Sequence, residues 1–362
     1  MGPGPGYPAG TRPVFLDLAN FKVQTSKYKV SSKYVVHFPL TLHFAVCTLN
    51  LRLISFLVLL APLAAFAQAP YSVPRTPWGD PDLQGVWPAT EFAGVPLERP
   101  VQFGSRNLLT DDELAAREMR ERLQREAAER DGAGGLTGAP GHWTEWGKTQ
   151  RQASLLVAPP DGRMPALTPA GQARDARQPR GTSGDGPLNG PADFTLWERC
   201  ISRGVLGSTL PVLNNSGIEI TQAPGVVAIR YEMVHDQRVI PLDGRRPLGA
   251  AIRQYMGASL GRWDGDTLVV VTTNFNGRTG AAANGGGVPT TPAMVLTERF
   301  RRVSHDTMQY EATVDDPATW VAPWTVSFPL RLTPGYELFE YACHEGNYGL
   351  ADALRAARAA ER

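Results

Sequence analysis

The stretch TMQYEATVDDPATWVAPWTVSFPLRL, residues 307–332, decides the fold class because its apolar side chains recur at every second position. Alternate residues of a strand face the same side of a sheet, so each half of the stretch indicates a strand with one buried face. The apolar positions are Met308, Tyr310, Ala312 and Val314, then Trp324, Val326, Phe328, Leu330 and Leu332. Between them, Asp315-Asp316-Pro317 is typical of a strand end and a turn.

The same alternation extends over most of the chain beyond residue 215. Leu296, Glu298 and Phe300 share one face of a further predicted strand, and Asp264-Gly265 is typical of a tight hairpin turn. About eight short strands fit into about 130 residues, which indicates antiparallel neighbours. Because an open meander of this length leaves unpaired edges, the sequence predicts a mainly β fold whose antiparallel meander closes into a barrel or half-barrel.

Two helices accompany this β region in the prediction. Thr110 and Glu113 form a capping box that starts a helix over about residues 110–130, and its thin apolar stripe is typical of a surface helix. A short helix rich in Ala and Arg is predicted over residues 349–362. The predicted divisions are a leader at 1–67, an extended wrapping segment with the charged helix at 68–195, and an antiparallel β domain with the C-terminal helix at 196–362.

The segment LRLISFLVLLAPLAAFAQAP, residues 51–70, is typical of a secretory signal peptide. Arg52 gives a positive flank, Ile54 to Phe66 are almost all apolar, and Ala65-Phe66-Ala67 is a small-x-small cleavage site. The apolar run is shorter than the roughly 20 residues of a membrane span, so we expect a periplasmic or secreted protein with no stable span after cleavage. The late position of the signal suggests a translation start downstream of Met1. An uncleaved anchor and a buried apolar segment are the alternatives.

Charge and motif content exclude several classes of function. The formal net charge is +1, so no global field attracts nucleic acid or an anionic membrane. The chain has no P-loop, no G-x-G-x-x-G between a strand and a helix, no G-x-S-x-G elbow and no H-E-x-x-H. The sequence therefore predicts no cofactor and no nucleic-acid partner, and it does not indicate the oligomeric state.

The stretch EYACHEGNYG, residues 340–349, combines residue types found in metal and catalytic sites. Adjacent strand residues face opposite sides, and no second Cys or His lies two to four residues away, so we predict no metal site here. In the structural interpretation, a last strand runs from Tyr336 to Cys343, and the Cys343 side chain faces inward. Asn347 then acts as the N-cap of the C-terminal helix. Cys343 and Cys200 then form a disulfide in an oxidising compartment, with two buried free thiols or a shared metal as alternatives.

A catalytic interpretation of the same stretch stays open. His344 and Glu345 form a candidate acid–base pair, and His235 beside Asp236 offers a second histidine next to a carboxylate. A turn is the structural alternative for the second pair. Under the catalytic interpretation, the protein is a hydrolase or isomerase that uses His344, Glu345 and His235.

Aromatic and polar side chains in or beside the strands suggest a ligand pocket. A barrel interior with several rings and a few polar anchors suits a small apolar or aromatic molecule, whereas packing of the same rings into a core is the structural alternative. The candidate ligand-binding residues are Glu298, Arg230, Arg253, Trp263, Tyr310, Trp324 and Tyr348. Small-molecule binding is therefore the first predicted function, with an acid–base enzyme and a structural envelope protein as alternatives.

Several motifs together resemble those of a family of uncharacterised exported bacterial proteins. They are GDPDLQGVW (79–87), LWERC (196–200), GRWDGDTLVV (261–270), TVDDP (313–317) and YACHEGNYG (341–349). The resemblance covers nearly the whole chain from about residue 76 and implies export, but no particular activity. Gly85-Val86-Trp87 also resembles the G-x-W motif of the lipocalins (calycins), which implies a β-barrel. The Gly/Ala-rich stretch GRTGAAANGGG (277–287) departs from the family pattern, which has a more polar loop there.

Overall fold

A computed structural model of the chain describes residues 71–130, 144–184 and 188–361. The predicted leader lies outside these residues. The described strands are β1 (Gly85–Val86), β2 (Leu156–Ala158), β3 (Ile218–Ala223), β4 (Val226–Tyr231), β5 (Gln237–Pro241), β6 (Ala258–Asp264), β7 (Thr267–Thr273), β8 (Val295–Arg302), β9 (Thr307–Asp315) and β10 (Trp324–Arg331). The described helices are α1 (Asp111–Arg130), α2 (Pro169–Asp175), α3 (Gly204–Thr209), α4 (Cys343–Gly346) and α5 (Tyr348–Ala360).

The described strands form two antiparallel sheets. The first has the order β1-β3-β4-β5 and the second the order β2-β10-β9-β8-β7-β6. Strands β6 to β10 follow one another as a meander, and Phe328 lies opposite Tyr310 in the ladder between β10 and β9. The prediction of a mainly β, antiparallel fold is confirmed, because consecutive strands with one apolar face pair through short turns.

The two sheets approach each other at two places, one where the end of β5 lies near β6 and one just after β10. At Gly261 in β6, an added Cβ would lie 2.8 Å from Ile240 and 2.6 Å from Leu242, at the end of β5. After β10, the backbone N–H of Thr333 donates to the carbonyl oxygen of Val86 in β1 at 3.4 Å. Ladder hydrogen bonds do not join the described strands into one ring, so the closed barrel stays a prediction.

The alternating apolar residues of β9 and β10 form the centre of the core. Every apolar position predicted on these two strands is at most 1% exposed, except Leu332 just beyond β10. The ring of Tyr310 packs between those of Phe300 and Phe328, with centroid distances of 5.0 and 5.3 Å. Trp87, directly after β1, is also fully buried in this core. The segment before the meander is therefore part of the same hydrophobic core.

Helix α1 begins as the sequence predicts. The backbone N–H of Glu113 donates to the Thr110 hydroxyl at 3.3 Å, and the Thr110 N–H donates to the Glu113 carboxylate at 2.8 Å. Met119 and Leu123 are about half exposed, at 47% and 51%, as expected for a surface helix. In the described part of the chain, no helix has the length and apolar content needed to cross a bilayer.

The prediction of a strand from Tyr336 to Cys343 is wrong. Residues 336–342 form no strand, and Cys343 begins α4. The edge of the second sheet beside β10 is occupied by β2, which is too short to carry a periodic signal, so this edge is not available to residues 336–342. Asn347 precedes α5, but its side chain donates to the Glu198 carbonyl oxygen at 2.7 Å and does not cap the helix.

The Gly/Ala-rich stretch at 277–287 packs against α3 with its backbone. A Cβ on Gly207 would overlap the backbone nitrogen of Gly285, and a Cβ on Gly285 would lie 2.5 Å from the carbonyl oxygen of Arg203. Gly285 also has a φ of 69°, which L side chains rarely adopt. Because helix α3 and this loop touch backbone to backbone, close packing explains why glycines stand at the contact positions.

Candidate functional site

The predicted catalytic residues do not meet in a described acid–base pair. His344 and Glu345 are exposed in α4, and neither side chain bonds to another described residue. His235 ends the 3-10 turn Met233–His235, and its side chain lies outside the described atoms. Among the described residues, no group of three or more His, Cys, Asp or Glu is placed to hold a metal ion. The catalytic role of these residues stays a prediction.

Four of the predicted ligand-binding residues are exposed or half-buried. Arg230 on β4 pairs with Glu219 on β3 at 2.8 Å, and Arg253 donates to a backbone carbonyl at 3.1 Å. Tyr348, the first residue of α5, is 74% exposed. Trp263 is half-buried near the end of β6. Within the described structure, no hydrogen bond or ring contact brings these four side chains together.

The other three predicted ligand-binding residues, Glu298, Tyr310 and Trp324, are buried in the core. Glu298 on β8 accepts hydrogen bonds from Arg238 on β5 at 2.6 and 3.0 Å, and from the Tyr310 hydroxyl at 3.0 Å. The Arg238 and Glu298 side chains are 2% and 0% exposed. This ion pair therefore joins the two sheets inside the protein, and protein donors already occupy the carboxylate.

The electrostatics of this internal cluster follow from burial and from the single carboxylate. Burial raises the pKa of Tyr310, and the negative charge of Glu298 raises it further. Burial alone would lower the pKa of Arg238, but the charge and hydrogen bonds of Glu298, together with Tyr231 and Tyr310, more than offset this, so the pKa of Arg238 is raised. Both shifts favour the protonated forms that donate to Glu298. The hydrogen bonds from Arg238 and Tyr310 therefore fix the Glu298 carboxylate in place between the two sheets.

Cys200 and Cys343 form the predicted disulfide pair, with Cα atoms 5.7 Å apart. They are separated by 143 residues in sequence. The pair fastens the C-terminal segment, which we define as residues 333–361, to the chain just before α3. Asn347 strengthens this attachment, because its side-chain amide also lies 3.4 Å from the Cys200 sulfur.

A carboxylate cluster that the sequence did not predict lies beyond the end of β4. It consists of Glu232, Glu145 and Tyr336. The Tyr336 hydroxyl lies 2.7 Å from Glu232 Oε2 and 3.1 Å from Glu145 Oε1. A hydroxyl has one proton, so it donates to one of the two carboxylates at a time. Burial raises the pKa of Tyr336, and the hydrogen bonds and charges of both carboxylates raise it further.

Surrounding donors hold the two carboxylates of this cluster in place. The Gly217 N–H donates to Glu232 at 3.1 Å, while the Asn215 N–H and the Thr90 hydroxyl donate to Glu145 at 3.0 and 2.9 Å. Asn215 has a φ of 50°, in the left-handed region where a non-glycine residue is strained. Two positioned carboxylates around one hydroxyl make this cluster a candidate for general acid–base chemistry, which requires in addition a substrate within hydrogen-bond reach.

A groove opens beside the carboxylate cluster, between α1, the turn Thr90–Phe92 and residues 146–150. Its volume is about 100 Å³. The Arg125 guanidinium of α1 lies over the Trp146 ring, 5.2 Å from its centroid, and Arg125 Nε is buried with no hydrogen-bond partner among the described atoms. Lys148 is exposed on the rim. The groove thus combines an aromatic wall with two cations and two carboxylates, Glu91, which pairs with Arg331, and Glu121, which accepts from the Thr149 hydroxyl.

Sequence reasoning misses the groove because its walls come from separate, non-periodic parts of the chain. Thr90 connects it to the carboxylate cluster, since this residue lines the groove and also bonds to Glu145. One usable signal was TEWGK (144–148), where a tryptophan stands between two charged residues in a stretch without periodicity. Loops that carry such side chains are frequent sites of function.

Comparison with known proteins found no match for this chain. No protein-family description matches the chain, and no curated protein or solved structure matches it either. The resemblances stated from the motifs therefore stay expectations, and the function has to be argued from the groove, the carboxylate cluster and the buried charges.

Proposed function

We propose that this protein is exported and binds a small organic anion with a flat apolar part in the groove beside α1. The observation that carries the proposal is the Arg125 guanidinium, which lies on the Trp146 ring at the cavity with its Nε buried and unpaired among the described atoms. A buried N–H without an acceptor is costly, and an anionic ligand removes that cost.

The chemistry of the groove walls defines the ligand class. Trp146, Val95 and Leu213 supply apolar surface, which favours a flat hydrocarbon or aromatic part. Arg125 and Lys148 supply positive charge for a carboxylate or similar anion, whereas the two glutamates of the groove, Glu91 and Glu121, already have partners in Arg331 and Thr149. A volume of about 100 Å³ is smaller than the roughly 300 Å³ of the smallest typical ligand pockets, so the proposed ligand is a very small molecule or the end of a larger one.

The packing of the sheets supports a site outside the strands. We propose that the two sheets together form a barrel-like body, and the contacts of Gly261 with Ile240 and of Thr333 with Val86 support this arrangement. Its interior contains the Arg238–Glu298 ion pair, which has protein partners on both sides. The proposed ligand therefore lies in the groove, which has open volume beside Arg125, whereas protein donors already occupy the Glu298 carboxylate in the interior.

Export is supported by the cysteine chemistry together with the predicted signal peptide. Cys200 and Cys343 lie at disulfide distance, and such pairs persist mainly in oxidising compartments. A periplasmic or secreted protein that binds a small anion is consistent with these features. N-terminal sequencing of the protein from its own host tests export directly, since we expect the mature chain to begin near Gln68.

Isothermal titration calorimetry tests the groove, with benzoate as the anionic probe and benzamide as its neutral analogue. We expect benzoate to bind and benzamide to bind much more weakly, because only the carboxylate pairs with Arg125. Arg125→Gln should weaken benzoate binding by about tenfold or more, the usual effect of losing a charge-assisted hydrogen bond. Arg122→Gln is the matched control, since Arg122 is exposed on the same helix.

The aromatic wall has its own pair of variants. Trp146→Leu should weaken benzoate binding, whereas Trp78→Leu should leave it unchanged, because Trp78 bonds to Asp80 away from the groove. Native mass spectrometry of protein from its own host should also show a retained small molecule. Equal benzoate affinity in the Arg125→Gln and Arg122→Gln proteins would contradict the proposal.

A second candidate function is supported by the carboxylate cluster. Glu145 and Glu232 bracket the Tyr336 hydroxyl, and Thr90 joins this cluster to the groove, so a bound molecule would lie near two acid–base groups. A hydrolase would use one carboxylate to activate water. Hydrolysis of p-nitrophenyl esters, lost in Glu145→Gln and kept in the exposed-site control Glu219→Gln, would support this function.

A further inference from the structure

We infer that the Arg203 guanidinium is a second binding site, which takes an oxyanion such as a carboxylate beneath the C-terminal segment. This site is separate from the groove and does not depend on the function proposed for it. Arg203 lies between the disulfide residue Cys200 and helix α3, and it is 1% exposed. Buried arginines in proteins are normally paired, so an unpaired one needs a reason.

The unpaired atoms of Arg203 lie on one edge of its guanidinium. Nε and Nη2 are both buried without a hydrogen-bond partner among the described atoms. Their N–H groups point in parallel from the same edge, which is the geometry that binds the two oxygen atoms of a carboxylate or phosphate. An oxyanion on this edge would satisfy both donors at once, whereas a single protein carbonyl satisfies only one.

Other unpaired polar atoms are placed at the same junction. Ser208 Oγ and Asn284 Oδ1 are also buried without a partner among the described atoms. Ser208 follows Gly207 in α3, and Asn284 precedes Gly285, and these two glycines are in backbone contact. Four of the ten buried, unpaired side-chain atoms in the described structure therefore belong to residues of one helix–loop junction. Of these atoms, the two Arg203 nitrogens and the Ser208 hydroxyl can donate to an oxyanion, whereas the Asn284 oxygen is an acceptor and does not contribute to anion binding.

The charges around Arg203 leave this edge available. Asp236 Oδ2 accepts from the Ser202 hydroxyl at 2.9 Å and from the backbone N–H of Arg203 at 3.1 Å, so it is held by donors other than this edge. Burial lowers the pKa of Arg203 to about 10, although the charges of Asp236 and Tyr341 partly offset this effect. A bound oxyanion would stabilise the charged guanidinium and reverse the effect of burial.

The C-terminal segment provides the route of entry. Cys343 is fixed to Cys200, three residues before Arg203, and half-buried Tyr341 stands two residues before Cys343. Residues 337–342 form neither helix nor strand, and Phe339 among them is 71% exposed. Because Tyr341 lies close enough to Arg203 to influence its pKa, movement of this stretch is the route by which the proposed oxyanion reaches the Arg203 edge while the disulfide stays intact.

The experiment follows the arginine Nε–H signals by NMR in the disulfide-bonded protein with isotope-labelled arginine. The probe is sodium formate, the smallest carboxylate, and sodium chloride at equal ionic strength is the control. The Arg203 signal is identified by its absence from Arg203→Lys. We expect formate, but not chloride, to shift this signal in a saturable way. Tyr341→Ala should bind formate faster, because the cover over the site is smaller.

A second measurement keeps the test independent of the groove. Arg125→Gln should leave the response of the Arg203 signal to formate unchanged, so failure of the groove proposal and failure of this one can be told apart. In the Arg125→Gln background, which removes the groove's contribution, Arg203→Lys should weaken formate binding by calorimetry about tenfold, since lysine lacks the bidentate edge. Absence of a formate-dependent shift in both the wild-type and Tyr341→Ala proteins would overturn the inference. A shift of equal size with chloride would overturn it as well.

Discussion

Replacement of Glu298 by glutamine should destabilise the fold far more than the same replacement at Glu219. Both residues are glutamates on strands, and both pair with an arginine on another strand. The Glu298 pair with Arg238 is 0–2% exposed and joins the two sheets, whereas the side chains of the Glu219–Arg230 pair are 31% and 48% exposed. The two sites therefore separate the effect of burial from that of the chemical change.

The magnitude follows from what each change leaves behind. Glu298→Gln leaves Arg238 charged and buried with only one acceptor oxygen, which should cost about 3–5 kcal/mol of the free energy of unfolding. Glu219→Gln leaves Arg230 in water, so the cost should be about 0–1 kcal/mol. With a urea m-value of about 3 kcal/mol/M, these costs correspond to midpoint shifts of roughly 1–1.7 M and at most roughly 0.3 M.

Urea unfolding followed by tryptophan fluorescence measures both shifts on the disulfide-bonded protein. A double replacement, Arg238→Leu with Glu298→Leu, checks the assignment, because it removes both charges together. It should recover most of the loss, although the Tyr310 hydroxyl then lacks its acceptor. Equal midpoints for Glu298→Gln and Glu219→Gln would refute the reasoning. A double variant no more stable than Glu298→Gln would also refute it.

Three further predictions concern the disulfide, the α3 contact and the start of α1. Cys343→Ser should lower the free energy of unfolding by about 5 kcal/mol in the chain-entropy account, since the pair closes a 143-residue loop. Urea unfolding measures this loss, and the fully reduced wild-type protein should be as unstable as the variant. Gly207→Ala should cost about 1–3 kcal/mol, because the new Cβ meets the loop backbone, whereas Gly249→Ala, with open space around it, should be nearly neutral by the same assay. The hydrogen bond from Arg106 and that from the Thr110 N–H lower the pKa of Glu113 to about 2, so its support of α1 is complete above pH 4.5 and is lost as the pH falls towards 2. An NMR titration of Glu113 with a midpoint near 4.5 would contradict this last prediction.

The strands were predictable where burial imposes a period on the sequence. The apolar positions of β9 and β10 all face inward. A shift of either strand by one residue would turn its whole apolar set to solvent, so burial fixes the register of each strand. The same period placed Glu298 on a buried face with Leu296 and Phe300, and we predicted it as a ligand-binding residue, whereas its carboxylate is occupied by a protein partner. The identity of that partner, Arg238, depends on how two sheets meet, and local periodicity carries no information about that.

The candidate sites were less predictable because their members are distant in sequence and lie outside the periodic elements. Tyr336 meets Glu145 and Glu232 across separations of 191 and 104 residues. The strand β2 has three residues, too few for any alternation to be recognised, yet it decides that residues 336–342 do not extend the second sheet. The adjacent Cys, His and Glu of α4 attracted attention as a motif, but two of their side chains point into solvent.

The two buried arginines show where chemistry is best sought in this fold. Arg238 lies in the interior and is matched by Glu298, so the cost of burying its charge is met within the protein. Arg203 is buried as deeply, but the edge formed by its Nε and Nη2 has no acceptor among the described residues. It lies where the C-terminal segment covers the body, and Arg125 lies in a similar position, where α1 meets residues 146–150. A buried Nε without a described partner also occurs on Arg99, Arg238 and Arg302, but among the described residues Arg203 alone has two such atoms on one edge. A two-oxygen anion is the ligand that satisfies such an edge, which is why we place the inferred oxyanion site at Arg203.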